Sequence, residues 1–196
     1  GVPRGKGLAL LWQRGQVIVL LWFGRHDEAL ARLDGAIRRF PDERLPLATR
    51  AHLQAQLGRA SAAIDDYRVL VQRHPGDAAA WFNLGFVLET EQRWDEALDA
   101  LGRATALDPK LDRAWYGLGL VLIRLQRYDE AVVALKRNTE LQPMSPYGWY
   151  QLARVHVDRH EPEEAVKIIR HLQGFEPKVA AQLERETGLL RGQPAS

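Results

Sequence analysis

The chain contains no cysteine, which excludes disulfide frameworks, thiolate-ligated zinc, iron–sulfur clusters and thiol nucleophiles together. Serine stands at only three places, Ser61, Ser145 and Ser196, and none lies in a nucleophile-elbow setting. No charge of one sign prevails: 27 Lys and Arg face 25 Asp and Glu, interleaved along the chain, so no basic stripe for nucleic acid forms. The longest apolar stretch, residues 8–23, is broken by Gln13, Arg14, Gly15 and Gln16. It falls short of the roughly 20 apolar residues a membrane span requires. No small-residue cleavage site follows it, so it reads as a core helix and not a signal peptide. Lysine is scarce beside arginine, a coding bias expected of a GC-rich bacterial genome. Gly1 in place of Met predicts a processed or excised piece of a longer protein. What is present is 46% hydrophobic residues, too many for a disordered chain.

Those residues are periodic. Proline recurs at 41, 75, 109, 143 and 177, and alanine at 29, 63, 97, 131 and 165, both at intervals of 34. Trp81, Trp115 and Trp149 keep the same interval, with Leu84, Leu118 and Leu152 three places on. Within one unit, Trp81, Leu84, Gly85 and Leu88 mark one helical face, and Ala97, Leu98, Leu101 and Ala104 mark a second. Asp95 and Glu96 open the second helix, as do Asp27–Glu28 and Asp129–Glu130 in theirs, where the positive end of the dipole favours carboxylates. The proline then stops it, since it disfavours helical geometry at the preceding residue. Each unit reads as an αα-hairpin.

These residues resemble the tetratricopeptide repeat (TPR) family, whose unit runs W-x2-L-G-x2-Y, then Ala, a bulky apolar residue, a small one and Pro. The match is Trp81, Leu84, Gly85, Leu88, Ala97, Leu101, Ala104, Pro109, and again Trp115, Leu118, Gly119, Leu122, Ala131, Leu135, Asn138, Pro143. The resemblance implies an all-α fold, an α-solenoid with a right-handed superhelix. Five repeats are expected at 10–43, 44–77, 78–111, 112–145 and 146–179. Residues 1–9 would form a tail or helix extension, 180–191 a capping helix and 192–196 a flexible tail. The first helix of repeat two departs from the pattern, with Leu47, Arg50, Ala51 and Gln54 at its signature places.

Catalytic signals are weak. His156 and His160 have a metal-compatible i, i+4 spacing, yet Val157 stands where a metalloprotease needs Glu. The phase also puts His156 at a buried place and His160 in a turn. No enzyme activity, metal or cofactor is expected. Asn138, at a small buried position, is expected to hydrogen-bond a neighbour through its amide.

In stacked repeats, the resemblance implies, side chains beside the signature face line a concave groove for peptides. There the sequence places Phe82, Tyr116 and Tyr150, then Phe86, Leu120 and Arg154, then Arg113 and Tyr147, with Ile123 and Arg124 beyond. Packing is the competing reading for the first of these ladders. The expected partner is a protein segment or helix with apolar anchors and some acidic groups. A carboxylate clamp of the chaperone-binding kind is incomplete, because Asn83 and Arg113 fit it but Ala48, His52 and Gly117 do not. Trp12, Ile18, Trp22 and Phe23 spread apolar groups around the first helix and mark a possible second interface. A non-catalytic adaptor is the preferred reading. Self-association through the first helix, or substrate presentation within a larger enzyme, are the alternatives. A cytoplasmic location is expected, with the periplasm as the other option.

Overall fold

A computed structural model describes residues 4–190, with side chains from residue 7 onward. Among the described residues there are eleven helices and no strand. They are α1 (Arg4–Trp22), α2 (His26–Arg39), α3 (Arg44–Gln56), α4 (Ala60–Arg73), α5 (Ala78–Thr90) and α6 (Trp94–Leu107). Then come α7 (Asp112–Arg124), α8 (Tyr128–Leu141), α9 (Pro146–Asp158), α10 (Pro162–Gln173) and α11 (Pro177–Thr187). The architecture is an all-α helical-repeat solenoid. The chain forms two compact units, one ending at Glu91 and the next beginning at Gln92. The tail expected at 192–196 lies outside the described residues, as does residue 191 at the end of the expected capping helix.

The first unit holds α1 to α5. Val17 of α1 meets Ala29, Leu30 and Leu33 of α2 and Leu53 of α3 in one buried cluster, with Leu20, Leu21 and Leu57 packed against it. The helix α2 carries Asp27 and Glu28 in its first turn and Arg38 and Arg39 in its last, each sign at the dipole end that favours it. Asp77 caps α5 by accepting from the Ala80 N–H at 3.0 Å, and Arg44 pairs with the same carboxylate.

The aberrant signature of repeat two has a structural cause. Arg50 occupies the place of the signature leucine and donates to Asp66 through Nε at 2.8 Å and Nη2 at 2.6 Å. Its Nη1 donates to Asp34 at 2.9 Å. Gln54, with its amide turned to suit its neighbours, donates to Asp66 Oδ2 at 2.8 Å and to the Ala62 carbonyl at 3.0 Å. Asp66 stands where later units have Ala100 and Ala134. A polar network therefore stands where a later unit has Leu118 and Ala134.

The second unit holds α6 to α11. Its core joins Leu122, Ala131, Leu135, Leu152, Ile169 and Leu183, so α11 is packed into it and does not merely flank it. Close approach of α7 and α8 depends on Gly119, where an added Cβ would stand 2.7 Å from the Leu135 side chain. The buried Asn138 donates through Nδ2 to the Asp112 carbonyl at 3.0 Å, the kind of bond its position calls for. Room for that amide comes from Gly148, where a Cβ would lie 2.1 Å from Asn138 Oδ1.

One expectation needs correction at the C-terminal end. The capping helix begins at Pro177 and ends at Thr187, with Gly188 at φ 72° closing it, so it does not run over 180–191. Pro177 opens this helix at its first turn, where a missing N–H costs nothing. The preceding helix has already stopped at Gln173 beside Gly174.

Candidate partner-binding surfaces

In the second unit, α7, α9 and α11 wall a pocket of about 270 Å³. Tyr116 comes from α7, Tyr147 and Tyr150 from α9, and Val179 and Gln182 from α11. Tyr147 is 69% exposed, a large ring left in solvent at the pocket edge. Tyr150 is partly buried, and its hydroxyl donates to Glu186 Oε2 at 2.6 Å. Arg154 donates to the Tyr150 hydroxyl at 3.1 Å, stands 5.7 Å over the same ring and lies 3.7 Å from Glu186. The hydrogen bond from Tyr150, then that from Gln182, holds the Glu186 carboxyl below the usual carboxylate range. Arg154 is held more firmly protonated, first by its bond to Tyr150.

The other residues singled out from the sequence are placed less uniformly. Arg113 is exposed, Leu120 is half-buried, and neither lines the pocket. Ile123 packs against the core of the second unit. Arg124 is exposed and stands 5.9 Å over the Trp94 ring, a cation–π distance. In the first unit Phe82 is buried, so its ring serves packing and offers no groove surface, in correction of its expected place. Phe86, one turn on, is 53% exposed with its ring centroid 6.3 Å from that of Phe82. Periodicity missed Val179, Gln182 and Glu186. The available signal was Leu183, which falls 34 residues after Trp149 and marks α11 as the first helix of a further unit.

The first helix exposes Trp12, Ile18 and Trp22, and the turn after it exposes Phe23. Ile18 lines an apolar groove of about 340 Å³ with Leu10, Leu21, Leu45 and Pro46, between α1, α2 and α3. Gln13 borders it, and its Oε1 is buried without a hydrogen-bond partner. A second, shallower groove of about 360 Å³ is lined by Leu11, Trp12, Val19, Leu20 and Arg32.

His156 is buried with Nδ1 2.7 Å from Glu161 Oε2, while His160 sits exposed in the turn with φ 60°. Among the described residues no group of three His, Cys, Asp or Glu could hold a metal ion. No helix among them is long and apolar enough to cross a membrane.

Comparison with solved structures shows the same fold. A crystal structure of MamA superposes with a TM-score of 0.77 at 20% identity, covering 97% of this chain and 100% of that one. A MamA segment from Desulfovibrio magneticus RS-1 gives 0.75 at 23% identity, over 89% and 94% of the two chains. YrrB, described as a TPR protein with an unusual peptide-binding site, gives 0.75 at 19%, over 86% and 88%. No curated protein sequence matches the chain significantly. Two family models, both described as tetratricopeptide repeat, match residues 48–112 and 88–150. Together they run from 48 to 150, over half the chain, and the chain belongs to the tetratricopeptide repeat family.

Proposed function

We propose that the chain is a non-catalytic interaction scaffold that holds a segment of a partner protein against α7, α9 and α11. The observation that carries this reading is the exposed Tyr147 beside Tyr116 and Tyr150 on a pocket large enough for one apolar side chain. Tyrosine suits such a role, since it presents a rigid apolar ring with a polar end and loses little rotamer freedom on binding. Glu186 indicates how a partner carboxylate would be received: it accepts from the Tyr150 hydroxyl next to the Arg154 guanidinium. An acidic side chain of the partner competes for those same donors. Phe86 on α5 offers a separate apolar contact. The peptide-binding site ascribed to YrrB, a protein of like fold, agrees with this reading.

Selection from a displayed peptide library on the wild-type chain tests it. Enriched peptides should carry an aromatic or aliphatic anchor with a carboxylate nearby. Tyr147→Ala should weaken their binding about tenfold, roughly 1.4 kcal/mol, with no change in melting temperature because the ring is exposed. Equal binding by the wild type and the variant, or no enrichment at all, refutes the assignment.

A further inference from the structure

The outward side of α1 is the largest feature that partner binding at Tyr147 leaves unused. Leu8, Leu11, Trp12, Val19, Trp22 and Phe23 recur at helical spacing and form one stripe about 22 Å long. Every one is more than half exposed, from 55% at Val19 to 85% at Trp22. The opposite side of the same helix is occupied, with Val17, Leu20 and Leu21 packed into the first unit. The helix is thus fixed to the fold along one side and apolar along the other. Soluble monomers rarely leave a continuous apolar surface of this size uncovered.

The charges around the stripe identify its cover. No acidic residue occurs in α1. Over residues 4–39 there are seven Lys and Arg against three Asp and Glu. Among the described residues the groove beside Trp12 and Val19 has Arg32 as its one charged lining residue, and Arg14 and Glu43 border the groove on the Ile18 side. The first two carboxylates after Trp22 in the chain pair with arginines: Glu28 lies 2.5 Å from Arg25, and Asp27 lies 3.0 Å from Arg59. What remains is a Trp-, Phe- and Leu-bearing stripe with Arg32 at one margin, while Arg14 and Glu43 share the groove on the packed side. That is the composition of a helix lying in the plane of a lipid interface, where indole rings settle at the headgroup level and arginines meet phosphates. Insertion across the bilayer is closed to it by the Gln13-Arg14-Gly15-Gln16 interruption and by its packed side. A second copy of the chain fits the charges less well. The exposed aromatic surface around Tyr147 already sets Arg154 beside Glu186, and α1 brings no carboxylate to it.

We propose that α1 docks the protein onto an anionic membrane surface, with Trp12, Trp22 and Phe23 entering the interface and Arg32 facing lipid phosphates. Co-sedimentation with vesicles tests this on the whole chain. Phosphatidylcholine vesicles containing about one third phosphatidylglycerol should retain the protein at least tenfold better than phosphatidylcholine alone. About 0.5 M salt should remove most of that difference, because it shortens the Debye length to a few ångströms. The double variant Trp12→Glu, Trp22→Glu should lose at least tenfold in retention with helicity and melting temperature unchanged, since both rings lie in solvent. Equal retention by both vesicle types overturns the anionic assignment, and undiminished retention of the double variant overturns the role of α1. Failure of the wild type to sediment with either vesicle overturns the proposal outright. If light scattering then finds a wild-type dimer that the double variant converts to monomer, the stripe is an interface between copies instead.

Discussion

The indole nitrogen of Trp115 donates to the carbonyl of Pro109 at 2.9 Å. The same bond joins Trp81 to Pro75 at 3.0 Å and Trp149 to Pro143 at 2.8 Å. Two of the residues whose 34-residue spacing defines the repeat are thus coupled across three of the junctions from a second helix to the next first helix. The proline ends one helix and leaves its carbonyl without a helical partner, and the tryptophan supplies the missing donor. Replacing Trp115 by Phe keeps most of the apolar ring and removes the donor. The expected loss is about 1–1.5 kcal/mol of unfolding free energy in urea titration, with binding at Tyr147 unaffected.

Arg50 and Asp66 should behave as one unit in a double-mutant cycle. Arg50→Leu leaves a buried carboxylate with only Gln54 to satisfy it, and Asp66→Ala leaves Arg50 with only the more exposed Asp34. Each single change should cost about 2–3 kcal/mol. The double variant restores the Leu/Ala pairing of later repeats and should lose less than either single variant. Additive losses would mean that the two side chains act independently.

Five inter-helix turns place a residue at positive φ, again 34 apart: Gly24 at 68°, Gly58 at 72°, Gln92 at 59°, Gln126 at 57° and His160 at 60°. Only the first two use the residue that adopts this conformation without strain. Gln126→Gly should stabilise the protein by about 0.5–1 kcal/mol, and Gly58→Gln should destabilise it by about 1 kcal/mol. Thermal melts of the two variants should shift in opposite directions.

The response to pH follows from Tyr67 and Asp77. Burial, and then the Asp66 charge, pushes the Tyr67 phenol up to about 12. The folded state therefore keeps a proton that the unfolded chain releases near pH 10, and stability falls as pH rises from about 10 to about 12. Tyr67→Phe should remove that alkaline loss. Burial alone would raise the Asp77 carboxyl, but the Arg44 hydrogen bond, the Ala80 N–H and the Arg44 charge together hold it below its usual range. Its contribution is in place above about pH 4 and is lost as pH falls further. Asp77→Ala should flatten the acid side of the melting-temperature profile and cost about 1 kcal/mol near neutrality through loss of the cap.

The repeat period, the helix pairs and the family were readable because they rest on local chemistry. A proline ends a helix wherever it falls, and small residues at every thirty-fourth place report a recurring close approach before any coordinates are known. The anomaly of Arg50 and Gln54 was also visible, but not its resolution, because Asp66 lies 16 residues away on another helix. The same holds for exposure. Phe82 and Phe86 share a helix and one apolar character, yet the first is buried and the second half in solvent. Sequence phase gives the direction of a side chain from its own helix axis, and tertiary packing decides whether anything lies in that direction. The Tyr147 pocket took its third wall from α11, which carries too few signature residues to declare its role in advance. Both apolar sides of α1 read alike in the sequence. Only the docking of Val17, Leu20 and Leu21 against α2 and α3 set one side inside and left Trp12, Trp22 and Phe23 facing out.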